Sequence, residues 1–376
     1  MTRRLVTLRT VSALTPIEGA DRIELATVDG WQCVVKKGEF KVGERGLYFE
    51  IDSFLPASDS RFDFLAKEKK CWKNREGYRV QTRRFQKQLS QGLLRPLSEF
   101  PEVKQRYFSD TDYADLLGVV KWERDTETVK VPKKKTWLSK VVSKYKHTRL
   151  RPFLLWLEVR FPSWFAREAT RPFPGFVPKT DEERVQNCLA RLVTYRDLGI
   201  RFHRTVKLDG SSMTVYYNRG KVGVCSRNLD LKRDKDNAFW SVVLGNNLDK
   251  ALKKLGRNIA LQGELMGPGI QKNREKLSKL EYYLFKAYDI DTNKYLSRDE
   301  RSTLVADLRL AGATLYQVPS LGIDDLSKFP SIAEFLAFAE GASLNAETRE
   351  GVVFESMDGA FSFKVISNSY LLEKGN

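Results

Sequence analysis

The chain reads as an α+β protein of two domains, a small closed β-barrel followed by a larger domain of antiparallel sheets and helices. Three observations predict this. Its 376 residues exceed what one hydrophobic core usually organises, and 41% apolar with 11% aromatic residues is enough material for sizeable cores. Residues 1–120 are crowded with short β-branched and aromatic runs separated by glycine-bearing turn signals. Beyond Pro178, strand-like runs alternate with stretches of helical periodicity.

Taken in order, the barrel runs are Val6 to Val11, Ile23 to Val28, Trp31 to Lys36 and Gly46 to Ile51, with turns at Asp29-Gly30, Lys37-Gly38 and Val42-Gly43. Tyr78 to Phe85 and Gly92 to Leu97 complete the set, and many short strands at close spacing favour closure into a barrel. Residues 121–177 form a connector of a different kind. Between 133 and 167 stand ten basic residues against one acidic residue, Glu158, interleaved with Trp137, Tyr145, Trp156, Phe161, Trp164 and Phe165. Cationic side chains attract phosphates, and aromatic faces stack bases or grip lipid headgroups; a solvated linker with a short packed helix would carry the same composition. Prolines at 152, 162, 172, 174 and 178 exclude one long helix.

The second domain, 178–376, opens with Thr180-Asp181-Glu182-Glu183, which reads as a capping box with Thr180 at the N-cap and Glu183 at N3. Val185, Leu189, Leu192 and Val193 follow at helical spacing. Strands are expected at Phe202 to Lys207, Met213 to Tyr217, Val222 to Ser226, Ile259 to Leu265 and Tyr282 to Ile290. Gly351 to Phe354 and Phe361 to Val365 are expected to pair across Asp358-Gly359, and helices to occupy 237–255, 298–311 and 331–341.

Sixty-five Lys and Arg against 48 Asp and Glu leave a net charge of +17, which points to a polyanionic partner, nucleic acid before a membrane surface. No apolar run of spanning length exists, and Met1 to Leu8 is not followed by an apolar signal core. Four scattered cysteines and two histidines form neither a zinc motif nor a disulfide framework. An intracellular protein, cytoplasmic or nuclear, is the expectation.

The segment Lys207-Leu208-Asp209-Gly210 concentrates the chemistry. Alone it is no more than a lysine ending a strand before an Asp-Gly turn. Further residues follow it in order: Ser226-Arg227-Asn228, Gln262-Gly263-Glu264-Leu265 with Gly267-Pro268-Gly269, Phe285-Lys286-Ala287-Tyr288-Asp289, Glu350-Gly351-Val352 and Ser362-Phe363-Lys364. The series resembles the five collinear motifs of the covalent nucleotidyltransferases, ATP-dependent ligases and mRNA capping enzymes. Together with Pro178-Lys179-Thr180-Asp181-Glu182-Glu183-Arg184 and the N-terminal barrel, it is similar to RNA ligases of the Naegleria and Deinococcus type. Those carry an oligonucleotide-binding (OB) domain ahead of the nucleotidyltransferase domain. Chain order agrees: twelve residues follow Lys364, whereas the resembling DNA ligases and capping enzymes place a barrel after that lysine.

The resemblance implies an ATP-dependent RNA ligase that seals 3′-OH and 5′-phosphate ends through lysyl-AMP and RNA-adenylate. Lys207 is then the nucleophile, an amine that must be deprotonated to attack and that neighbouring cations or a metal would favour in that form. The ATP or AMP pocket it implies comprises Asp209, Gly210, Arg227, Glu264, Tyr288, Glu350 and Lys364, with Arg184 from the helix ahead of it. Asp209, Glu264 and Glu350 would hold Mg2+ or Mn2+ through its waters. Arg227 suits a ribose or terminal phosphate, Tyr288 would stack on adenine, and Lys364 would pair with the α-phosphate. Related ligases often have two lysines, two positions apart, in the last motif. Here Ser362 and Ile366 share the face of Lys364, so either the second cation is replaced by one of them or another residue such as Lys286 supplies it. Expected partners are RNA with those ends, a nicked duplex among them, and an end-healing kinase-phosphatase. The same core would also serve a DNA or hybrid nick sealer. A non-catalytic RNA-binding protein would keep the barrel and basic segment but has no need of the lysines and three carboxylates together.

Overall fold

The computed structural model describes residues 4–104, 111–122 and 170–374, so the basic, aromatic stretch 133–167 lies outside the described residues. The first half is a curled antiparallel sheet ordered Leu93–Pro96, Arg45–Phe49, Val6–Pro16, Ile23–Val28 and Trp31–Lys36. Its long first strand shifts register between Val11 and Ala13, pairing with Arg45–Phe49 before the shift and mainly with Ile23–Val28 after it. Such an irregularity sharpens the strand's twist and lets one strand serve two directions of sheet. Side chains draw the ends together: the Val34 N–H donates to Ser90 Oγ at 3.0 Å, and the Tyr48 hydroxyl donates to the Gln91 carbonyl at 2.8 Å. Beyond the exposed Arg45 this strand is buried on both faces, Tyr48 against Trp31 and Val11, Leu47 and Phe49 against Phe62 and Phe100. A second sheet, Val120–Lys121, Ser53–Pro56, Arg75–Arg79 and Lys70–Trp72, carries the barrel half through Lys121. The single run expected at Tyr78 to Phe85 is two strands, Arg75–Arg79 and Thr82–Phe85, the latter turning back onto Gln88–Gln91.

The second half has two sheets. The larger, eight-stranded, contains Ser211–Asn218, Ile259–Met266 and Glu281–Asp289 as its central members and takes an edge strand, Thr170–Pro172, from ahead of Pro178. One face packs on the helices Ala238–Gly245, Leu248–Leu255 and Arg298–Leu310. The smaller contains Phe202–Lys207, Gly351–Ser356 and Ser362–Ile366 and packs on Leu189–Asp197 and Ile332–Ala339. The other faces meet in a cleft, which Lys286 of the larger sheet crosses to reach Ser362 of the smaller.

Two expectations are corrected. Residues 180–183 form no capping box: Glu183–Arg184 is a strand running parallel to Ser362–Ile366, with Glu183 opposite Phe363 and Arg184 opposite Lys364. The helix begins only at Leu189, and the Glu183 carboxylate accepts from the Arg184 N–H and from Asn187 Nδ2 instead. Pairing with the edge of the smaller sheet outweighs the local cap. The helix expected over 237–255 is two, Ala238–Gly245 and Leu248–Leu255, separated where Asn247 adopts a left-handed φ of 53°. Asparagine tolerates that conformation better than most residues, which lets the chain break there.

Candidate active site

Lys207 ends its strand opposite Gly351, at the mouth of the cleft. A Cβ on Gly351 would lie 2.0 Å from the Val365 carbonyl oxygen, so only glycine lets these strands close beside the lysine. The preceding residue, Glu350, accepts a hydrogen bond from Lys207 Nζ at 2.7 Å. Its backbone is pinned from both sides. The Ser367 N–H donates to the Glu350 carbonyl, and the buried Arg349 guanidinium donates to the carbonyls of Phe338, Ala339 and Glu340.

Glycine again governs the turn after Lys207. A Cβ on Gly210 would stand 2.4 Å from the Leu265 carbonyl oxygen and 2.9 Å from Glu264 Cγ. Its absence lets the Gly210 N–H approach Glu264 Oε1 to 3.2 Å. Asp209, Glu264 and Glu350 therefore surround one amine. Burial alone would favour the neutral amine of Lys207, but the charges of Glu350, Glu264 and Asp209 outweigh it and hold its pKa above the ordinary lysine value. Glu264 is pushed up to about 8, first by burial and then by Glu350 and Asp209, against the pull of Lys207 and the Gly210 N–H. The lysine is thus held charged, where nearby cations were expected to depress it. Tyr370 closes this corner: burial, Glu350 and Asp209 together push its phenol well up, and Arg274 lies 5.0 Å over its ring.

Three carboxylates around one ammonium form an oxygen-rich, net-negative pocket suited to a hard divalent cation. Among the described residues no three acidic, histidine or cysteine side chains lie close enough to grip a metal directly.

Lys364 lies on the strand beside, on the cleft face with Ser362, while Phe361, Phe363 and Val365 are buried in the core behind. Its Nζ donates to Asp181 Oδ1 at 3.3 Å. Arg227 Nη2 stands 3.9 Å from the same carboxylate, with its side chain mostly exposed. Lys286, nearly buried, donates to Ser362 Oγ at 2.7 Å and to Glu182 Oε1 at 2.5 Å. That places its ammonium two residues farther along the strand from the level of Lys207 than Lys364, since Lys364 pairs with Val353 and Ser362 with Glu355. Ile366, at the level of Lys207, is buried and apolar.

Tyr288 stands on the cleft face of the larger sheet, packed with Ala260 and Val177 and edge-on to Tyr295 at 5.1 Å. Arg184 is corrected in position. It stands not on a helix but on the parallel edge strand, opposite Lys364, with its guanidinium 5.5 Å over Trp31 of the barrel. Sequence reasoning missed Asp181 and Glu182, whose carboxylates meet the cleft's cations, because it assigned their segment to a helix start. It also missed Lys121, which the barrel contributes, and Tyr370; neither stands in a motif that would mark it.

A family model for an OB-fold domain matches residues 5–97, and an RNA ligase family model matches residues 200–366. No curated protein sequence matches significantly. Among solved structures, an apo lysine-to-alanine mutant of Naegleria gruberi RNA ligase is 41% identical, with 100% of both chains covered and a TM-score of 0.80. A lysine-to-alanine mutant of that ligase with ATP and Mn matches at 41% identity and TM-score 0.80, over 99% of this chain and 100% of that one. A glutamate-to-alanine mutant with AMP and Mn does so over 100% of both, at 41% identity and TM-score 0.80. Substitutions in that protein's structures include, in chain order, two lysines, an aspartate two positions after the second of them, two glutamates and a third lysine.

Proposed function

The chain belongs to the RNA ligase family, and we propose that it seals RNA ends in an ATP-dependent reaction carried on Lys207. The observation that carries the assignment to Lys207 is its Nζ, 2.7 Å from Glu350 within a ring of three carboxylates. Five of the substituted residues of the Naegleria ligase support it, having the types and order of Lys207, Asp209, Glu264, Glu350 and Lys364.

In the first step the Lys207 amine attacks the α-phosphorus of ATP. A P–N bond forms, the bond to pyrophosphate breaks, and the amine loses a proton. A 5′-phosphate oxygen of RNA then takes the AMP, the P–N bond breaks, and the lysine regains a proton. The 3′-OH of the other end attacks the 5′-phosphorus, a phosphodiester forms, and AMP leaves. Asp209, Glu264 and Glu350 would hold Mg2+ or Mn2+, which would supply neutralising charge for these carboxylates and for the phosphates. Lys364 neutralises the α-phosphate, Arg227 meets ribose or a phosphate, and Tyr288 with Ala260 and Val177 offers an apolar wall for adenine. Arg184 acts by docking the barrel. The substrates are RNA ends with 3′-OH and 5′-phosphate, a nicked duplex among them, prepared by an end-healing kinase-phosphatase.

The test is to mix the full chain with α-labelled ATP and a divalent metal, then denature it. Wild type should retain covalent label that acid releases as AMP. Label persisting on Lys207→Ala, or none on wild type, sinks the mechanism. Glu350→Ala should lower labelling at least about a hundredfold, as expected when electrostatic preorganisation is lost.

A further inference from the structure

The run Gly267-Pro268-Gly269-Ile270-Gln271 continues, as a loop to Leu277, from the strand that carries Glu264, and no step of the proposed reaction uses it. It folds on itself as successive turns. The N–H groups of Ile270, Asn273 and Lys276 donate to the carbonyls of Gly267, Ile270 and Asn273 at 3.0, 2.9 and 2.8 Å. Asn273 clips the end, its side chain accepting from the Leu277 N–H at 3.1 Å and donating to the Leu277 carbonyl at 3.0 Å. At the base a Cβ on Gly267 would stand 2.4 Å from the Lys279 carbonyl oxygen, and its φ of 123° is one that other residues rarely adopt, so glycine closes the loop. A loop fixed internally in this way holds its side chains at set places.

Three of those side chains reach backbone on either side of the reacting groups. Gln271 Nε2 donates to the Gly210 carbonyl at 3.1 Å, in the turn after Lys207. The buried Glu275 carboxylate accepts from the Asn345 and Ala346 N–H groups at 2.7 and 3.1 Å, and the Glu275 carbonyl accepts from Asn345 Nδ2 at 2.9 Å. Arg274 donates to the Thr348 carbonyl at 2.8 Å, two residues before Glu350. It also donates to Glu373 of the last helix at 2.8 Å, with the Tyr370 ring 5.0 Å beneath it. Leu277 and Leu344 pack with Val206 and Leu208, the residues that flank Lys207. Glu264 belongs to the larger sheet, whereas Lys207 ends one strand of the smaller and Glu350 precedes another, so the loop ties the two sheets together where the carboxylates meet. The stretch 341–349 contains no helix or strand, and contacts of this kind set its course. A buried carboxylate is costly unless hydrogen-bonded, and Glu275 spends its oxygens on the backbone of that stretch.

We infer that Arg274 and Glu275 are positioning residues for lysine adenylylation: through the backbone at 345–348 they set the place of Glu350 relative to Lys207. The inference rests on the ligase reading, and it assigns these two residues no contact with the nucleotide.

The experiment uses the full chain, after wild type has been shown to form lysyl-AMP. The rate of lysine adenylylation is measured against ATP concentration for Arg274→Ala, Glu275→Ala and Glu275→Gln. Each alanine variant should lower the rate at saturating ATP by at least about tenfold, with half-saturating ATP within about twofold of wild type. Glutamine keeps an oxygen for both N–H groups, so Glu275→Gln should restore most of the rate. Adding Arg274→Ala to Glu350→Ala should cost less than about twofold more, because the residue through which the arginine acts is gone. Losses that multiply in full would overturn the inference, as would alanine variants whose rates stay within about twofold of wild type. A raised half-saturating ATP at unchanged rate would overturn it by making Arg274 a nucleotide contact. A loss that follows a lower Tm, and that glutamine does not restore, would reduce the loop to a structural brace. Wild type that forms no lysyl-AMP would overturn the ligase reading instead.

Discussion

Gly210 shows how narrow the tolerances of this site are at the level of one residue. It carries no charge, yet its missing Cβ is what allows the turn after Lys207 to lie against Glu264 and the Leu265 carbonyl. In Gly210→Ala the added methyl would meet backbone at 2.4 Å, and a carbonyl within a paired strand cannot swing aside as a flexible side chain could. The turn must move instead, carrying Asp209 and the mouth of the pocket away from Lys207. Overpacking of this kind costs about 1–3 kcal/mol of stability, which leaves most chains folded. A displacement of about 1 Å at a reacting group costs far more in rate, about a hundredfold. Gly210→Ala is therefore expected to retain its circular dichroism and most of its Tm but to lose lysine adenylylation by about that factor. Normal labelling would show that the turn has slack that the close contacts deny.

At the scale of elements, the strand that delivers Lys207 holds a histidine that ought to make the fold sensitive to acid. His203 is buried, its Nε2 2.9 Å from Ser320 Oγ on the neighbouring strand. Burial, then the charges of Arg301 and Arg298, depress its pKa to about 4. In the unfolded chain it titrates near 6.5, so between pH 6.5 and 4 the unfolded state takes up a proton that the folded state refuses. Stability from this source is complete above pH 6.5 and is lost as pH falls toward 4, by about 2 kcal/mol at pH 5. His203→Gln removes the titration. Its stability relative to wild type, from urea unfolding, should improve by that amount between pH 7.5 and pH 5. An unchanged difference would mean that the folded histidine is protonated normally. This strand was legible in the sequence, as were Ile23–Val28 and Trp31–Lys36, because alternation and glycine turns are local signals. The segment 180–187 was not. Thr180 and Glu183 satisfy a capping pattern locally, and only the distant strand Ser362–Ile366 decides that the segment extends instead. Lys207, Asp209, Glu264, Glu350 and Lys364 could be picked out because motif order carries them. Lys121 and Asp181 gain their meaning from a contact between domains, which no stretch of sequence contains.

For the whole molecule the question is how the barrel and the catalytic domain divide the handling of RNA. The two are joined where Asn187 accepts from Arg9 Nη2 at 3.1 Å and donates to Glu50 at 3.0 Å, and where Gly30 closes on Ile332. This seam adjoins Glu183 and Arg184, so the barrel braces the same strand that carries Asp181 and Glu182 to the cleft. The cations within the cleft are largely answered by carboxylates: Lys207 by Glu350, Lys286 by Glu182, Lys364 by Asp181. They add little long-range attraction. More than half of the net charge of +17 lies instead in the sequence 133–167, where ten basic residues face one acidic residue. RNA capture and nucleotide chemistry should then separate experimentally. Each phosphate neutralised contributes about 0.7 to 0.9 to the slope of log affinity against log salt. Replacing Lys133, Lys134 and Lys135 by glutamine should lower that slope for an RNA ligand by about 2 to 3 and weaken binding at low salt. Lysine adenylylation with ATP alone should stay at the wild-type rate, because the cleft's cations are supplied elsewhere. An unaltered salt slope would move the RNA track onto the barrel. Slowed adenylylation would instead make the basic stretch a part of the nucleotide site.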